Sequence, residues 1–174
     1  MRTIPARPVQ YQGIQFRSVE EARWAAFFNR LGINFEYEKQ VEGLYYLPDF
    51  FVPSQRTFPK ATFFEVKPVL DVVEEEKCWM LEEKEKTRVV ILRKMAWLRG
   101  VKHLDLSGLV CAHEVLGDYG YAFCQCQTCK AYGVEFEGRA DRIGCPCKKS
   151  TDRGHNYNCE SLLVAYAHAM TLKF

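Results

Sequence analysis

Two sets of residues in this 174-residue chain have types and spacings suited to chemistry. The first is Asp49, set between Pro48 and the apolar run Phe50-Phe51-Val52, followed 16 residues later by Glu65-Val66-Lys67 after Phe63-Phe64. A strand alternates its faces, so Glu65 and Lys67 share one face while Phe64 and Val66 take the other. If the two runs pair as a hairpin, Asp49 comes beside Glu65. Carboxylates on apolar strands are costly to bury unless a cation compensates them. A hard cation such as Mg²⁺ does so with one or two carboxylates and phosphate oxygens. Lys67 then stands where it can orient a water or stabilise developing charge.

The second set is cysteine. Eight are present, and six of them (Cys124, Cys126, Cys129, Cys145, Cys147, Cys159) lie in the last third, while Cys78 and Cys111 stand alone. Cys126-x-x-Cys129 and Cys145-x-Cys147, 15 residues apart, are two tight pairs of the kind that supply four thiolates to tetrahedral Zn²⁺. Such a site is structural, because four thiolates leave no open position. Cys124, His155 and Cys159 are spare candidates, the last two with the i, i+4 spacing of helix-borne ligands. A redox dithiol fits less well, since glycine-rich loop rather than helix follows Cys126-x-x-Cys129; an iron–sulfur cluster is a further alternative. Gly133, Gly138 and Gly144 suit the turns of a small hairpin between the pairs. Lys130, Arg139, Arg142, Lys148, Lys149 and Arg153 are interleaved with Tyr132, Phe136 and Tyr157, a mixture that suits nucleic-acid contact as well as a solvated surface.

The elements that must position these residues follow from periodicity. Residues 1–17 read as extended, with Pro5 and Pro8 opposing helix. Trp24, Phe27, Phe28 and Leu31 mark a helix from Ser18 that Gly32 ends. Strands are expected over 33–40, 44–52, 61–67 and 88–92, and a helix over 71–86 whose Val72, Val73, Glu76, Trp79 and Met80 share a stripe available to the sheet. One more helix or hairpin is expected over 93–118, and a closing helix over 161–171. The order is α-β-β-β-α-β, followed by a cysteine-rich segment.

Pro48-Asp49 and Glu65-Val66-Lys67 on that order resemble the PD-(D/E)XK nuclease superfamily, over roughly residues 11–93. The resemblance implies a restriction-endonuclease-like α/β core over 1–118, a mixed central sheet flanked by helices, with a zinc-binding module over 119–174. It implies that Asp49 and Glu65 bind Mg²⁺ or Mn²⁺ with help from the Val66 carbonyl, and that Lys67 is the catalytic lysine. It also favours Glu21 as a further acid on the first core helix; periodicity alone does not separate Glu21 from Glu20. The activity implied is hydrolysis of phosphodiester bonds, with DNA as partner, and such enzymes can pair two active sites in a homodimer. Simpler roles stand beside these. Ser18-x-x-Glu21 is a capping box, Glu65 and Lys67 can be a surface pair on an edge strand, and Asp49 can open a turn. The rival functions are a non-catalytic nucleic-acid-binding protein on the same fold and a protein-interaction adaptor.

Composition sets the bounds. With 48% hydrophobic and 14% aromatic residues the chain can fill a core, which excludes intrinsic disorder. A net charge of +2 names no partner. No apolar run approaches the roughly 18 residues of a membrane span, and residues 1–10 lack the apolar stretch of a secretory signal. The expectation is a cytoplasmic protein.

Overall fold

Five strands build the central sheet of a mixed α/β fold, described by a computed structural model for residues 7–67, 72–95, 110–111, 120–147 and 159–174. A hairpin of β1 (Val9–Tyr11) and β2 (Ile14–Phe16) leads into α1 (Val19–Arg30). Ser18 caps that helix, its Oγ accepting the Glu21 N–H at 3.1 Å, and Gly32 at φ +66° carries the chain past its end.

The sheet runs β3 (Glu36–Tyr37), β4 (Phe50–Val52), β5 (Thr62–Val66), β6 (Val89–Leu92) and β7 (Val110–Cys111), in that spatial order. Only the β5–β6 pair is parallel. A parallel pair needs a crossover, and α2 (Val72–Glu85) lies on it. Every residue of β5 and β6 is buried because both sheet faces are covered. Phe64, Val66, Val90 and Leu92 pack toward α1, while Phe63, Val89 and Ile91 pack with Cys78 and Leu81 of α2.

Two expected strands are shorter than their apolar patterns. Of residues 33–40 only Glu36–Tyr37 is strand, because Glu38 turns away with φ 50°. Of residues 44–52 only Phe50–Val52 is strand. Pro48 has no N–H for the ladder, and Tyr45 and Leu47 face solvent. The α2 stripe is also different. Trp79 and Met80 are each 53% exposed and Glu76 is exposed, whereas Cys78 and Leu81 are fully buried. This helix carries apolar residues around much of its circumference, so periodicity does not choose the buried side. The expected element over 93–118 lies outside the described residues except for β7.

The C-terminal segment adds a hairpin, β8 (Tyr121–Gln125) with β9 (Tyr132–Phe136), a 3₁₀ turn (Ala140–Arg142) and α3 (Glu160–Thr171). It shares the core of the sheet. Phe123 stacks among Trp24, Phe27, Phe28 and Phe64, with ring centroids 5.0–6.2 Å apart, and Leu162, Ala165 and Ala169 of α3 pack with the same cluster. A polar joint adds to this: the buried Glu135 carboxylate accepts from Lys60 at 2.8 Å and Arg88 at 3.3 Å. Arg88 also donates to the Val134 carbonyl and to Thr62 Oγ1. The hairpin is thereby tied to the strand that bears Glu65.

Candidate active site and metal centre

The register of β4 and β5 places the two acids. Phe50 pairs with Phe64 and Phe51 with Phe63, so the position before Phe50 faces the position after Phe64: Asp49 opposes Glu65. Both are buried, at 2% and 1% exposure. The Asp49 N–H donates to Glu65 Oε2 at 3.3 Å, and Asp49 Oδ2 accepts the Val66 N–H at 2.7 Å. Lys67 pairs with Glu65 Oε1 at 3.0 Å and is partly exposed. The side chains therefore meet as the sequence suggests, and it is the Val66 amide that contacts Asp49.

The helix acid is also decided by geometry. Glu21 accepts from Ser18 Oγ at 2.7 Å, from Tyr37 Oη at 2.6 Å and from the Arg17 N–H at 3.1 Å. Glu20 turns elsewhere, to Arg23 and the Met95 N–H. Ser18 and Glu21 form a variant of the capping box, in which Glu21 reaches the N–H of residue 17 rather than of the cap itself. Capping and proximity to the acid pair coexist in Glu21.

Three residues of the site carry no motif. Arg17 bridges Asp49 and Glu38, the latter at 2.8 Å, with Glu21 Oε2 at 3.9 Å. Tyr37 holds Glu21, and Tyr46 donates to Glu65 Oε2. Only the helix start at Ser18 hints at Arg17, and Tyr46 is one aromatic among many. Arg17, Tyr46, Glu65 and Lys67 line an open cleft of about 350 Å³ together with Lys77.

Charge is unbalanced around the buried Asp49–Glu65 pair, although Arg17, Lys67 and Lys77 line the cleft itself. Burial, then the neighbouring Glu65 carboxylate, push the Asp49 carboxyl up to about 7, against the opposing pull of the Val66 N–H and Arg17. Burial and the same Glu65 push the Tyr46 hydroxyl well above its ordinary value, so it stays a donor. Two buried carboxylates plus Glu21 face Arg17 and Lys67, and a bound divalent cation would relieve that imbalance.

No family model matches the chain. No curated protein and no solved structure matches it either.

The candidate metal centre lies at the β8–β9 turn and the loop after the 3₁₀ turn. The Sγ atoms of Cys126, Cys129, Cys145 and Cys147 all lie within 4.8 Å of one another, and among the described residues this is the group of three or more ligating side chains that converges. Tetrahedral zinc with Zn–S of about 2.3 Å needs S···S of roughly 3.8 Å, so the four thiols could bind a structural metal such as zinc. The first pair occupies the β8–β9 turn itself, where Cys126 N–H donates to the Ala131 carbonyl at 2.8 Å and Lys130 takes φ 63°. Gly138 and Gly144 are turn glycines at φ 65° and 79°, but Gly133 lies within β9, where an added Cβ would sit 3.0 Å from Ile143. Burial opposes ionisation of Cys126, but N–H groups of Cys129 and Thr128 and the neighbouring thiols outweigh it and bring its pKa down to about 7. Cys145 is pushed up to about 12, chiefly by burial. Proximity to a thiolate favours one anion at a time until a cation arrives.

The spare thiols stand apart. Cys124 is buried against the Gly133 carbonyl at 3.7 Å, and Cys159 caps α3 and contacts Ser161 at 3.3 Å. His155 lies outside the described residues, as do Lys148, Lys149, Arg153 and Tyr157. Of the other interleaved residues, Tyr132 is buried, Arg139 pairs with Asp141 at 3.2 Å and Arg142 lies 6.0 Å from the Phe136 ring. Among the described residues, no helix is long and apolar enough to cross a membrane.

Proposed function

We propose that the chain is a Mg²⁺-dependent nuclease of the PD-(D/E)XK, restriction-endonuclease-like kind, acting on DNA and stapled by zinc at Cys126, Cys129, Cys145 and Cys147. The observation that carries this reading is the juxtaposition of Asp49 and Glu65, buried on paired strands beside Lys67 at the mouth of an open cleft. The order β3-β4-β5-β6, with its antiparallel neighbours and one parallel pair across α2, supports it further.

Asp49 and Glu65 would hold Mg²⁺, which supplies Lewis-acid stabilisation of the phosphoryl group and lowers the pKa of a bound water. The chain's own groups do the rest. Lys67, two residues after Glu65 on the same face, aligns the water or stabilises charge on the phosphate oxygens. Glu21 helps to hold Arg17 at the cleft. Arg17, held by Asp49 and Glu38, brings a guanidinium to the cleft that could contact a phosphate. Tyr46 fixes the Glu65 carboxylate.

A rival reading, a non-catalytic nucleic-acid-binding protein, draws on Arg17 and Lys67, which already pair both carboxylates without a metal. Supercoiled DNA incubated with Mg²⁺, Mn²⁺ or EDTA separates the two. Nicking with either metal and none in EDTA is expected; retained DNA binding with no nicking under any metal would select the rival.

A further inference from the structure

A second hollow adjoins the cleft, and the nuclease reading does not use it. It has about 270 Å³ and is lined by Gly43, Leu44, Tyr45, Tyr46, Lys77 and Met80. Tyr45, Tyr46 and Lys77 also line the cleft, so the two hollows are neighbours. Their characters differ. The cleft holds Arg17, Glu65 and Lys67; the hollow is walled by apolar and aromatic surface. Tyr45 projects fully into solvent, at 111% exposure, and Met80 is 53% exposed. A fully exposed aromatic ring beside an apolar hollow loses contact with water only when something flat covers it.

Resting on the nuclease reading, we propose that Tyr45 and this hollow form a nucleobase-stacking subsite that takes one unstacked base of a single strand entering the cleft. Charge and shape both argue for this occupant. Lys77 lines both hollows, and Arg17 and Lys67, each ion-paired with a site carboxylate, line the cleft beside it. Cations beside an aromatic platform are the pattern by which single-stranded nucleic acid is held, phosphates on the cations and bases on the rings. The hollow falls just below the roughly 300–1,000 Å³ of pockets for drug-sized ligands, room for one planar base and not for a duplex end. Bases inside a duplex have both faces covered and cannot stack on Tyr45. The preferred substrate is therefore DNA with a single-stranded segment at the cut, such as a tail, gap or flap.

The test uses the full chain without added divalent cation, so that no strand is cut. A labelled single-stranded oligonucleotide and the blunt duplex of the same sequence are titrated by fluorescence anisotropy. The single strand is expected to bind more tightly. Tyr45→Ala should weaken it on the order of tenfold while barely changing the duplex, and Tyr45→Phe should retain it, since stacking needs the ring rather than the hydroxyl. An abasic residue scanned along the oligonucleotide should weaken the native protein at one position and have no effect there on Tyr45→Ala. Because Tyr45 is fully exposed, these variants keep the fold, which circular dichroism verifies. Equal single-strand affinity for Tyr45→Ala and the native protein, or no nucleic-acid binding at all, overturns the subsite. The nicking assay reads the parent claim separately: cutting that ignores Tyr45 refutes only the subsite, and Tyr45-dependent binding without cutting under any metal refutes only the nuclease.

Discussion

The acidic cleft and the cysteine cluster are both places where the chain gathers ligands, and they do it by opposite means. The cysteines sit on turns, close in sequence within each pair, and converge within 4.8 Å. The acids come from different strands and a helix, and their meeting depends on a β4–β5 register set by apolar side chains. Four soft thiols, from fully buried Cys126 to exposed Cys129, could close around a structural metal. Hard carboxylates on the central strand β5 and just before β4, with an open cleft lined by Glu65 beside them, leave room for a substrate. The difference teaches that one site secures the fold and the other is secured by it.

Breaking the acidic side should have the largest effect. Asp49→Ala, Glu65→Ala and Lys67→Ala are each expected to cut DNA cleavage by about 10³-fold or more, since a single lost electrostatic stabiliser already costs about 10²–10³ in rate. Circular dichroism should remain native. Full nicking by folded Asp49→Ala and Glu65→Ala proteins would place the chemistry elsewhere.

Removing the cysteine side should cost stability first. Elemental analysis should find about one zinc per chain, and Cys126→Ser or Cys145→Ser should abolish it and lower stability, because structural zinc supplies folding free energy. Cys78→Ser and Cys124→Ser should keep the zinc. Native zinc content in Cys126→Ser would dissolve the four-thiolate assignment.

The joint between the regions is a finer probe. Glu135 is buried and holds Arg88 and Lys60, so Glu135→Ala should destabilise by about 3 kcal/mol, the range for stranding one partner of a buried pair. Denaturant unfolding reads this directly; a loss within a few tenths of a kcal/mol would mean that the hairpin is held by its apolar packing and the Arg88–Val134 hydrogen bond rather than by Glu135.

A further expected effect is a pH dependence. In the folded, metal-free protein burial beside Glu65 raises the Asp49 carboxyl to about 7, whereas in the unfolded chain it releases its proton near its ordinary value of 3.8. The folded state then binds more protons across that window, so this group's contribution is complete at low pH and is lost as pH rises through 7. Thermal melts from pH 4 to 8 should show that decline in the native protein, and Asp49→Asn should flatten it. Identical slopes for the two would remove Asp49 as its source.

The sequence shows the two sites unequally. Cys126-x-x-Cys129 and Cys145-x-Cys147 are local spacings that a turn converts directly into geometry, so the ligand set is readable before the fold. Asp49 and Glu65 are readable only because Phe50-Phe51 and Phe63-Phe64 announce two strands whose pairing brings the acids together. What patterning misses is whatever one element borrows from another. Arg17 reaches Asp49 across 32 positions, and Tyr46 reaches Glu65 across 19. The buried side of α2 is illegible for a related reason: Trp79-Met80 and Cys78-Leu81 are both apolar choices, and only the tertiary context selects the smaller pair. The short β3 and β4 reflect Glu38 at positive φ and Pro48, local breaks inside otherwise alternating runs.

The central claim is that two metals act at two sites, one for catalysis and one for the fold. Its most direct test is a single titration on pure native protein. Mild EDTA is added while nicking of supercoiled DNA and zinc release are followed together, and excess Mg²⁺ is then restored. Nicking should stop at once with zinc retained, and Mg²⁺ should restart it without refolding. Activity that falls only as zinc leaves, and that Mg²⁺ cannot restore, would contradict the account.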